Sequence, residues 1–268
     1  MAKLHDRRNC GRFSPATTVI HGANRDADNY FRSVLAAGFL ADALSDTVIM
    51  APRLASNGGS NCKDILALNE ISWTCDGADR WSYGGPAMKN EKITSFDLVD
   101  EILRKLARKE IFPNLKAIVV AGHSSGGMFL TRYEMASQVH EKLGVPVTYV
   151  VSNPSTLAYF DTIRPASAAY PVTAAAPGYV PTAPAGTFAP FSDAANCPAY
   201  DRWPYSIHGL TGYAARVPED QLKKQLLSRP TTYLLGELDV LPLGGMDVSC
   251  AAMAQGPTRL ARGLSFAK

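Results

Sequence analysis

The sequence has no long hydrophobic run. None of the apolar stretches in its 268 residues approaches the roughly 20 residues that a helix needs to span a bilayer. We therefore expect no membrane span. The N-terminal residues 1–12 are polar and basic and have no apolar core, so this stretch does not have the pattern of a signal peptide.

An excess of charge of one sign is also missing. The chain has 27 Lys and Arg residues against 24 Asp and Glu residues, and its formal net charge is only +3. The basic residues are scattered along the chain, so the composition does not favour nucleic acid as a partner. A hydrophobic fraction of 46% is ample for a core. We predict a single globular domain over residues 1–268.

Cysteine pairs at metal-binding spacing are absent as well. None of the five cysteines forms a CxxC pair, so we expect no metal site, and no sequence feature indicates an organic cofactor. Cys62 and Cys75 bracket a polar, glycine-rich segment that a disulfide could close. That bond would favour a secreted or periplasmic protein whose leader was removed before this numbering begins. The alternative is five free thiols in a cytosolic protein.

Short β-branched runs alternate with amphipathic segments along most of the chain. The runs predict strands over residues 17–20, 47–50, 116–122, 147–152 and 231–235. The amphipathic segments predict helices over 26–44, 94–110, 126–143, 218–228 and from 249 onward, with Thr94 and Asp97 as a capping pair. This alternation indicates an α/β fold with a mostly parallel sheet flanked by helices. Residues 56–90 are expected to form a long polar loop, and residues 156–217 a cap-like excursion over the sheet.

The motif Gly122-His123-Ser124-Ser125-Gly126 joins the third predicted strand to a predicted helix. A nucleophilic serine needs a tight turn at such a junction, where its hydroxyl stands clear of the backbone and glycines allow close approach. We therefore predict Ser124 as a catalytic nucleophile. The alternative is an ordinary glycine-rich turn in which Ser124 only caps the helix.

With this motif, the chain resembles the α/β-hydrolase superfamily, in particular esterase-like and lipase-like serine hydrolases, including secreted bacterial and fungal members. His21-Gly22-Ala23-Asn24 follows an early strand and resembles the turn that supplies one backbone N–H of the family's oxyanion hole. The residue after the nucleophile supplies the other. The resemblance thus implies an oxyanion hole formed by Ala23, or alternatively Asn24, together with Ser125.

The resemblance also implies a catalytic acid in the loop after the fifth predicted strand. Asp239 stands three residues beyond Gly236, where the family places the carboxylate that orients its histidine. Glu237 and Asp247 are weaker alternatives. Asp239 could also be no more than a solvated loop carboxylate.

The family's histidine follows its acid, but here all five histidines precede Asp239. One explanation, which we favour at this stage, is that a C-terminal segment bearing the histidine lies outside the numbered sequence. A second is that His208 substitutes from within the excursion. A third is a hydrolase fold that binds a ligand without catalysis. His123 is not assigned as the base because it should point away from Ser124.

The function expected from the sequence is hydrolysis of a carboxylic ester through an acyl-enzyme, with a small molecule or a polymer as the ester substrate. Amides and thioesters are not separated from esters at this level. A catalytically inactive ligand-binding protein is the alternative. The aromatic residues of the two long segments are candidates either for lining an apolar pocket or for packing: Trp73, Trp81, Tyr159, Phe160, Trp203 and Tyr205.

Overall fold

The structure is a computed structural model, and it describes residues 13–60, 62–166, 187–241 and 245–267. Its strands are β1 (Pro15–Ile20), β2 (Val48–Met50), β3 (Ser56–Gly58), β4 (Trp73–Thr74), β5 (Pro86–Ala87), β6 (Asn90–Thr94), β7 (Ala117–His123), β8 (Val147–Ser152), β9 (Ile163–Pro165), β10 (Phe188–Pro190) and β11 (Thr231–Leu234). Its α-helices are α1 (Ala27–Leu40), α2 (Ser95–Leu106), α3 (Ser125–Ala136), α4 (Glu219–Ser228), α5 (Cys250–Met253) and α6 (Arg259–Phe266).

A five-stranded sheet in the order β11-β8-β7-β1-β2 forms the centre of the molecule. All four of its strand pairs are parallel. Ile20 pairs with Gly122, and His123 with Ser152, so the carboxyl ends of β1, β7 and β8 lie at one edge. This confirms the predicted parallel sheet. The loops that carry the predicted site all leave the sheet at this edge.

Helices α2 and α3 bury their apolar faces in the main core. Phe96 of α2 contacts Phe129 and Tyr133 of α3 edge to face, with ring centroids 4.7 and 5.3 Å apart. The predicted capping pair starts α2, because the Thr94 hydroxyl accepts from the Asp97 N–H while the Asp97 carboxylate accepts from the Thr94 N–H. The ring contacts hold α3 in place. The first turn of α3 contains the end of the motif Gly122–Gly126, which is called the elbow from here on.

Helix α1 differs from the other helices because Ala27 is its sole buried residue. The apolar stripe expected from its sequence is present, but Phe39 and Leu40 are 73% and 84% exposed. Strand β2, beside which α1 lies, is the last strand of the sheet and has three residues. Such a short edge strand offers little surface to cover the stripe.

Three expectations about the elements are wrong. The helix predicted over 126–143 ends at Ala136, because Ser137 is extended (φ −53°, ψ 130°), and a 3-10 turn follows at His140–Lys142. The helix predicted from 249 onward is split into α5 and α6, because Pro257 lacks the N–H that a continuous helix needs. The predicted polar loop over 56–90 contains part of a small sheet in the order β3-β4-β5-β6.

Two disulfides tie loops to the core. The expected bond between Cys62 and Cys75 is confirmed, and a second bond, which the sequence did not reveal, joins Cys197 to Cys250 of α5. Within residues 156–166 and 187–217, β9 and β10 pair antiparallel. The cap-like role of the segment 156–217 stays a prediction. None of the described helices is long and apolar enough to cross a membrane.

Candidate active site

Ser124 lies between the last residue of β7 and the first residue of α3, with φ 57° and ψ −116°. A residue with a side chain rarely adopts a positive φ, and it persists in such a conformation only where its surroundings impose it. The Ser124 N–H donates to the Ser152 carbonyl at 3.0 Å, which ties the turn to the end of β8. The strained strand-turn-helix junction expected from the sequence is therefore present.

The glycines of the motif are required by close backbone approaches. A Cβ on Gly122 would lie 2.3 Å from the Gly126 carbonyl oxygen, and one on Gly126 would lie 2.2 Å from the Ile20 carbonyl oxygen. Real Cβ atoms do not come this near to backbone oxygens. The elbow can therefore fold against β1 only because both positions lack side chains.

The His21-Gly22 turn packs directly against the elbow. A Cβ on Gly22 would lie 3.7 Å from the Cβ of Ser124, so the turn and the serine are in contact. The N–H groups of Ala23 and Ser125 donate to no backbone acceptor within the described residues. The structure thus brings together the turn that bears Ala23 and the elbow that bears Ser124 and Ser125.

His21 holds this turn in place and is not available as a base. Its Nε2 accepts from the Leu54 N–H at 2.9 Å, so the proton is on Nδ1, which donates to the Gly22 carbonyl at 2.9 Å. Burial lowers the pKa of His21 to about 4, so the ring is neutral at pH 7. Its ring also meets that of Trp81, with centroids 4.8 Å apart. Trp81 is therefore a packing residue.

The loop closed by the Cys62–Cys75 disulfide is connected to the His21-Gly22 turn through Asp64 and Arg25. Arg25 Nε donates to Asp64 Oδ2 at 2.7 Å, and Arg25 Nη1 donates to the Ala23 carbonyl. Asp64 also accepts from the Ser56 N–H at 2.8 Å and stands two residues after Cys62, which is bonded to Cys75. This chain of contacts links the covalent loop to the carbonyl of Ala23, the residue whose N–H is the predicted oxyanion donor.

Asp239 lies in the loop after β11, and its partner is a cation. Its Oδ1 accepts from Arg259 Nη1 at 3.1 Å, and its N–H donates to the Gly236 carbonyl at 3.0 Å. The Asn153 side chain, just after β8, accepts from the Gly236 N–H at 2.7 Å and so joins this loop to the neighbouring strand. The weaker alternatives differ: Glu237 is exposed, and Asp247 accepts from the Tyr205 hydroxyl at 2.7 Å.

The described histidines other than His21 have partners of their own. His123 Nδ1 lies 2.9 Å from the Tyr30 hydroxyl, and His140 Nδ1 lies 3.0 Å from the Tyr149 hydroxyl. His208 Nδ1 donates to Asp201 Oδ1 at 2.8 Å. His5 lies outside the described residues. Within those residues, none of these contacts joins a histidine to Ser124 or to Asp239.

Sequence reasoning missed Arg259, Asn153 and Tyr30 as neighbours of the site. Each approaches it from an element distant in sequence, so no local motif marks it.

Sequence reasoning also left open whether the loop aromatics pack or line a pocket. Trp73 and Trp203 are 1% and 6% exposed and belong to the main core, which favours packing for both.

A cavity of about 850 Å³ opens between the start of α1 and the end of β2. Its lining is both charged and apolar, including Arg25, Asp28, Phe31, Met50, Arg53 and Glu70. It lies towards the carboxyl edge of the sheet, where ligands bind in open α/β folds. Neither Ser124 nor the His21-Gly22 turn is among its lining residues.

Comparison with known proteins gives a consistent result. The sequence matches the model of the alpha/beta hydrolase family over residues 19–264. The fold is similar to that of LpqC, a poly(3-hydroxybutyrate) depolymerase from Bordetella parapertussis, with a TM-score of 0.59 and 22% identity over 96% of this chain and 67% of that one. It is also similar to poly(aspartic acid) hydrolase-1 from Sphingomonas sp. KT-1, with a TM-score of 0.57 and 18% identity over 96% of this chain and 74% of that one. No curated protein sequence matches the chain.

Proposed function

The chain belongs to the alpha/beta hydrolase family, and from this premise we propose that it is a serine hydrolase that cleaves carboxylic esters through an acyl-enzyme. The observation that carries the proposal is the backbone of Ser124, held at φ 57° between β7 and α3. Family membership supports hydrolysis in general. The ester substrate and the covalent intermediate are the proposed part.

In the proposed mechanism, Ser124 Oγ attacks the ester carbonyl carbon while a base accepts its proton. The negative charge that develops on the carbonyl oxygen is stabilised by the N–H groups of Ala23 and Ser125. The positive end of the α3 dipole adds to this stabilisation. One such preorganised donor contributes about 10²–10³ in kcat in serine hydrolases. The tetrahedral intermediate then expels the alcohol, which takes the proton from the base. In the second half, water gives a proton to the base as it attacks the acyl carbon, and Ser124 regains that proton as the acid is released.

Asp239 is the proposed carboxylate that orients the base. Its Oδ1 is engaged by Arg259, and a carboxylate has a second oxygen, Oδ2, with which to accept from an imidazole N–H. Asn153 and Arg259 fix the loop from two sides. Such anchoring keeps the carboxylate in one place, which an orienting acid requires.

Among the described histidines, His208 alone has a carboxylate on its Nδ1, which is the arrangement that orients a general base. Its contacts are to Asp201 and Ser206 in the excursion. The variant His208→Gln decides its role. A fall in kcat of about 100-fold or more assigns the base to His208, and a change below about 2-fold assigns the base elsewhere.

The experiment that tests the function is hydrolysis of p-nitrophenyl butyrate by the full chain. We expect turnover that is lost in Ser124→Ala and kept in Ser33→Ala, which removes an exposed hydroxyl from α1. The p-nitroanilide of the same acid should be cleaved far more slowly if the enzyme is an esterase and not an amidase. Absence of ester turnover in the folded wild-type protein would contradict the proposal.

A second candidate is a hydrolase fold that binds a ligand without catalysis. It is favoured by the contacts of Asp239, whose partner within the described residues is Arg259 and not a histidine. The two candidates differ in reactivity and not in binding. A protein of the second kind would bind the ester and leave it intact.

The localisation and substrate size are also proposals. The two disulfides are consistent with an oxidising compartment, and we propose a secreted or periplasmic protein. One of the structurally similar proteins is a depolymerase of a polyester and the other a hydrolase of poly(aspartic acid). On this basis we propose a small ester or the end of a polyester chain as the substrate.

A further inference from the structure

Tyr30 stands out among the residues near Ser124, because no motif in the sequence marks it and yet it reaches the turn and the elbow together. It lies on the first turns of α1 and is half-buried. A Cβ on Gly22 would lie 2.7 Å from the Tyr30 hydroxyl oxygen, so this oxygen rests against the backbone of Gly22. From there it extends to His123, with 2.9 Å between the hydroxyl and Nδ1.

The second hydrogen bond joins two groups that are both neutral at pH 7. Burial lowers the pKa of His123, Arg259 lowers it further, and Asp239 raises it. The imidazole is therefore neutral at pH 7, and its Nδ1 can accept the proton of the hydroxyl. Burial, the main cause, and Asp26 raise the pKa of Tyr30, and a hydrogen bond with the Gly22 backbone lowers it. The phenol thus keeps its proton, and the hydroxyl and Nδ1 of His123 share a hydrogen bond between neutral groups.

His123 immediately precedes Ser124, and Gly22 immediately precedes Ala23. The Tyr30 hydroxyl therefore joins the two peptide segments whose N–H groups form the proposed oxyanion hole. The two segments leave the paired ends of β1 and β7, where Ile20 pairs with Gly122, and the hydroxyl adds a side-chain link beyond that pairing. The distance between the two donors depends on how these segments sit against each other, and an error of about 1 Å in such a site costs about 10²-fold in rate.

We propose that Tyr30, acting through His123 and Gly22, is a positioning residue that sets the separation of the two oxyanion donors. The inference rests on the proposed function of Ser124. Tyr30 touches neither the substrate nor Ser124 Oγ in this account. Its effect is on the transition state, because the oxyanion exists there and not in the bound ester.

The test compares two tyrosine–histidine pairs in the full chain. Tyr30→Phe removes the hydroxyl beside the site. Tyr149→Phe removes a hydroxyl with a matching bond, 3.0 Å from His140 Nδ1, in a pair distant from the carboxyl edge of the sheet. Both variants are assayed with p-nitrophenyl butyrate, and their affinities for a trifluoromethyl ketone, which forms an oxyanion on Ser124, are measured.

For Tyr30→Phe we expect kcat to fall about 10-fold with KM unchanged within about 2-fold, since one indirect contact should cost less than a direct donor. Affinity for the ketone should fall by the same factor as kcat/KM. Tyr149→Phe should keep kcat/KM within about 2-fold, whatever its effect on Tm. His123→Gln supplies an independent variant, and adding Tyr30→Phe to it should produce little further loss.

The proposal is overturned if Tyr30→Phe keeps kcat/KM, if Tyr149→Phe loses as much, or if ketone affinity is unchanged while kcat falls. Should Tyr30→Phe fail to fold, the His123→Gln variant decides by the same criteria. A wild-type protein with neither turnover nor ketone binding is a different result. It rejects the proposed function of Ser124, and the role of Tyr30 falls with it.

Discussion

Asp239 accepts a hydrogen bond from Arg259 of α6, with 3.1 Å between Nη1 and Oδ1 and side chains that are only 19% and 10% exposed. The predicted catalytic acid is therefore held by a cation that no motif in the sequence places there. This pairing orients the carboxylate before any imidazole reaches it.

From this pairing we predict the effects of two substitutions on catalysis. Asp239→Asn removes the charge that would stabilise an imidazolium, and kcat should fall by about 10³–10⁴-fold. Glu237→Gln, which changes an exposed carboxylate two residues away, should leave kcat within about 2-fold. Steady-state kinetics with p-nitrophenyl butyrate measures both. Equal effects of the two variants would remove Asp239 from the mechanism.

The backbone of Ser124 leads to a prediction about stability. A side chain at φ 57° and ψ −116° carries a conformational cost of about 1–3 kcal/mol, which glycine does not have. A glycine at this position lowers the free energy of unfolding by about 0.5–1 kcal/mol relative to alanine, because it has more conformational freedom in the unfolded chain. Ser124→Gly should therefore be more stable than Ser124→Ala by about 1 kcal/mol in urea denaturation. If the alanine variant is equally stable or more stable, the elbow is not strained.

The burial of His21 predicts a loss of stability in acid. Its pKa is about 4 in the folded protein against 6.5 unfolded, so the unfolded chain binds the extra proton between these values. The contribution of neutral His21 to the free energy of unfolding is fully present above pH 6.5. It is lost as the pH falls to about 4, and the total loss is up to about 3 kcal/mol.

The measurement is urea denaturation at pH 7, 5.5 and 4.5. The comparison is with His21→Gln, whose amide oxygen can still accept from Leu54 and which does not titrate. The wild-type protein should lose more stability on acidification than this variant. Parallel pH profiles would show that His21 is not the buried neutral group inferred here.

The two disulfides should differ in their effects. Their cysteines are 13 and 53 residues apart, and by chain entropy the longer loop stabilises by about 1 kcal/mol more. Replacing Cys197 and Cys250 by Ser should therefore lower the free energy of unfolding more. Replacing Cys62 and Cys75 should lower kcat more, because Asp64 and Arg25 connect that loop to Ala23. Thiol titration of the unfolded wild-type protein should find four additional thiols on reduction.

Local patterns were enough to predict much of the fold. The parallel strands, the capping pair of Thr94 and Asp97, and the bond between Cys62 and Cys75 all follow from residues close in sequence. The turn at Ser124 was also predictable, because Gly122 and Gly126 indicate that backbone segments approach closely there. The structure shows these close approaches. In each case a local pattern marks the feature, even where the contact itself joins distant segments, as between Gly126 and Ile20.

The remaining features depend on contacts between distant segments. Strands β4 and β5 have two residues each, which is too short for an alternating pattern. The bond from Cys197 to Cys250 joins the excursion to α5, and Arg259 meets Asp239 from a different element. In the sequence, Tyr30 is only one residue of the amphipathic segment 26–44. Its contact with His123, 93 residues away, arises because α1 follows the turn that packs on the elbow.

The most direct test of the central claim is reaction of the folded full chain with a fluorophosphonate, followed by peptide mass spectrometry. The account predicts one covalent adduct on Ser124, absent from Ser124→Ala and present at the wild-type level in Ser33→Ala. No adduct on the folded protein, or an adduct on another residue such as Ser206, would contradict it.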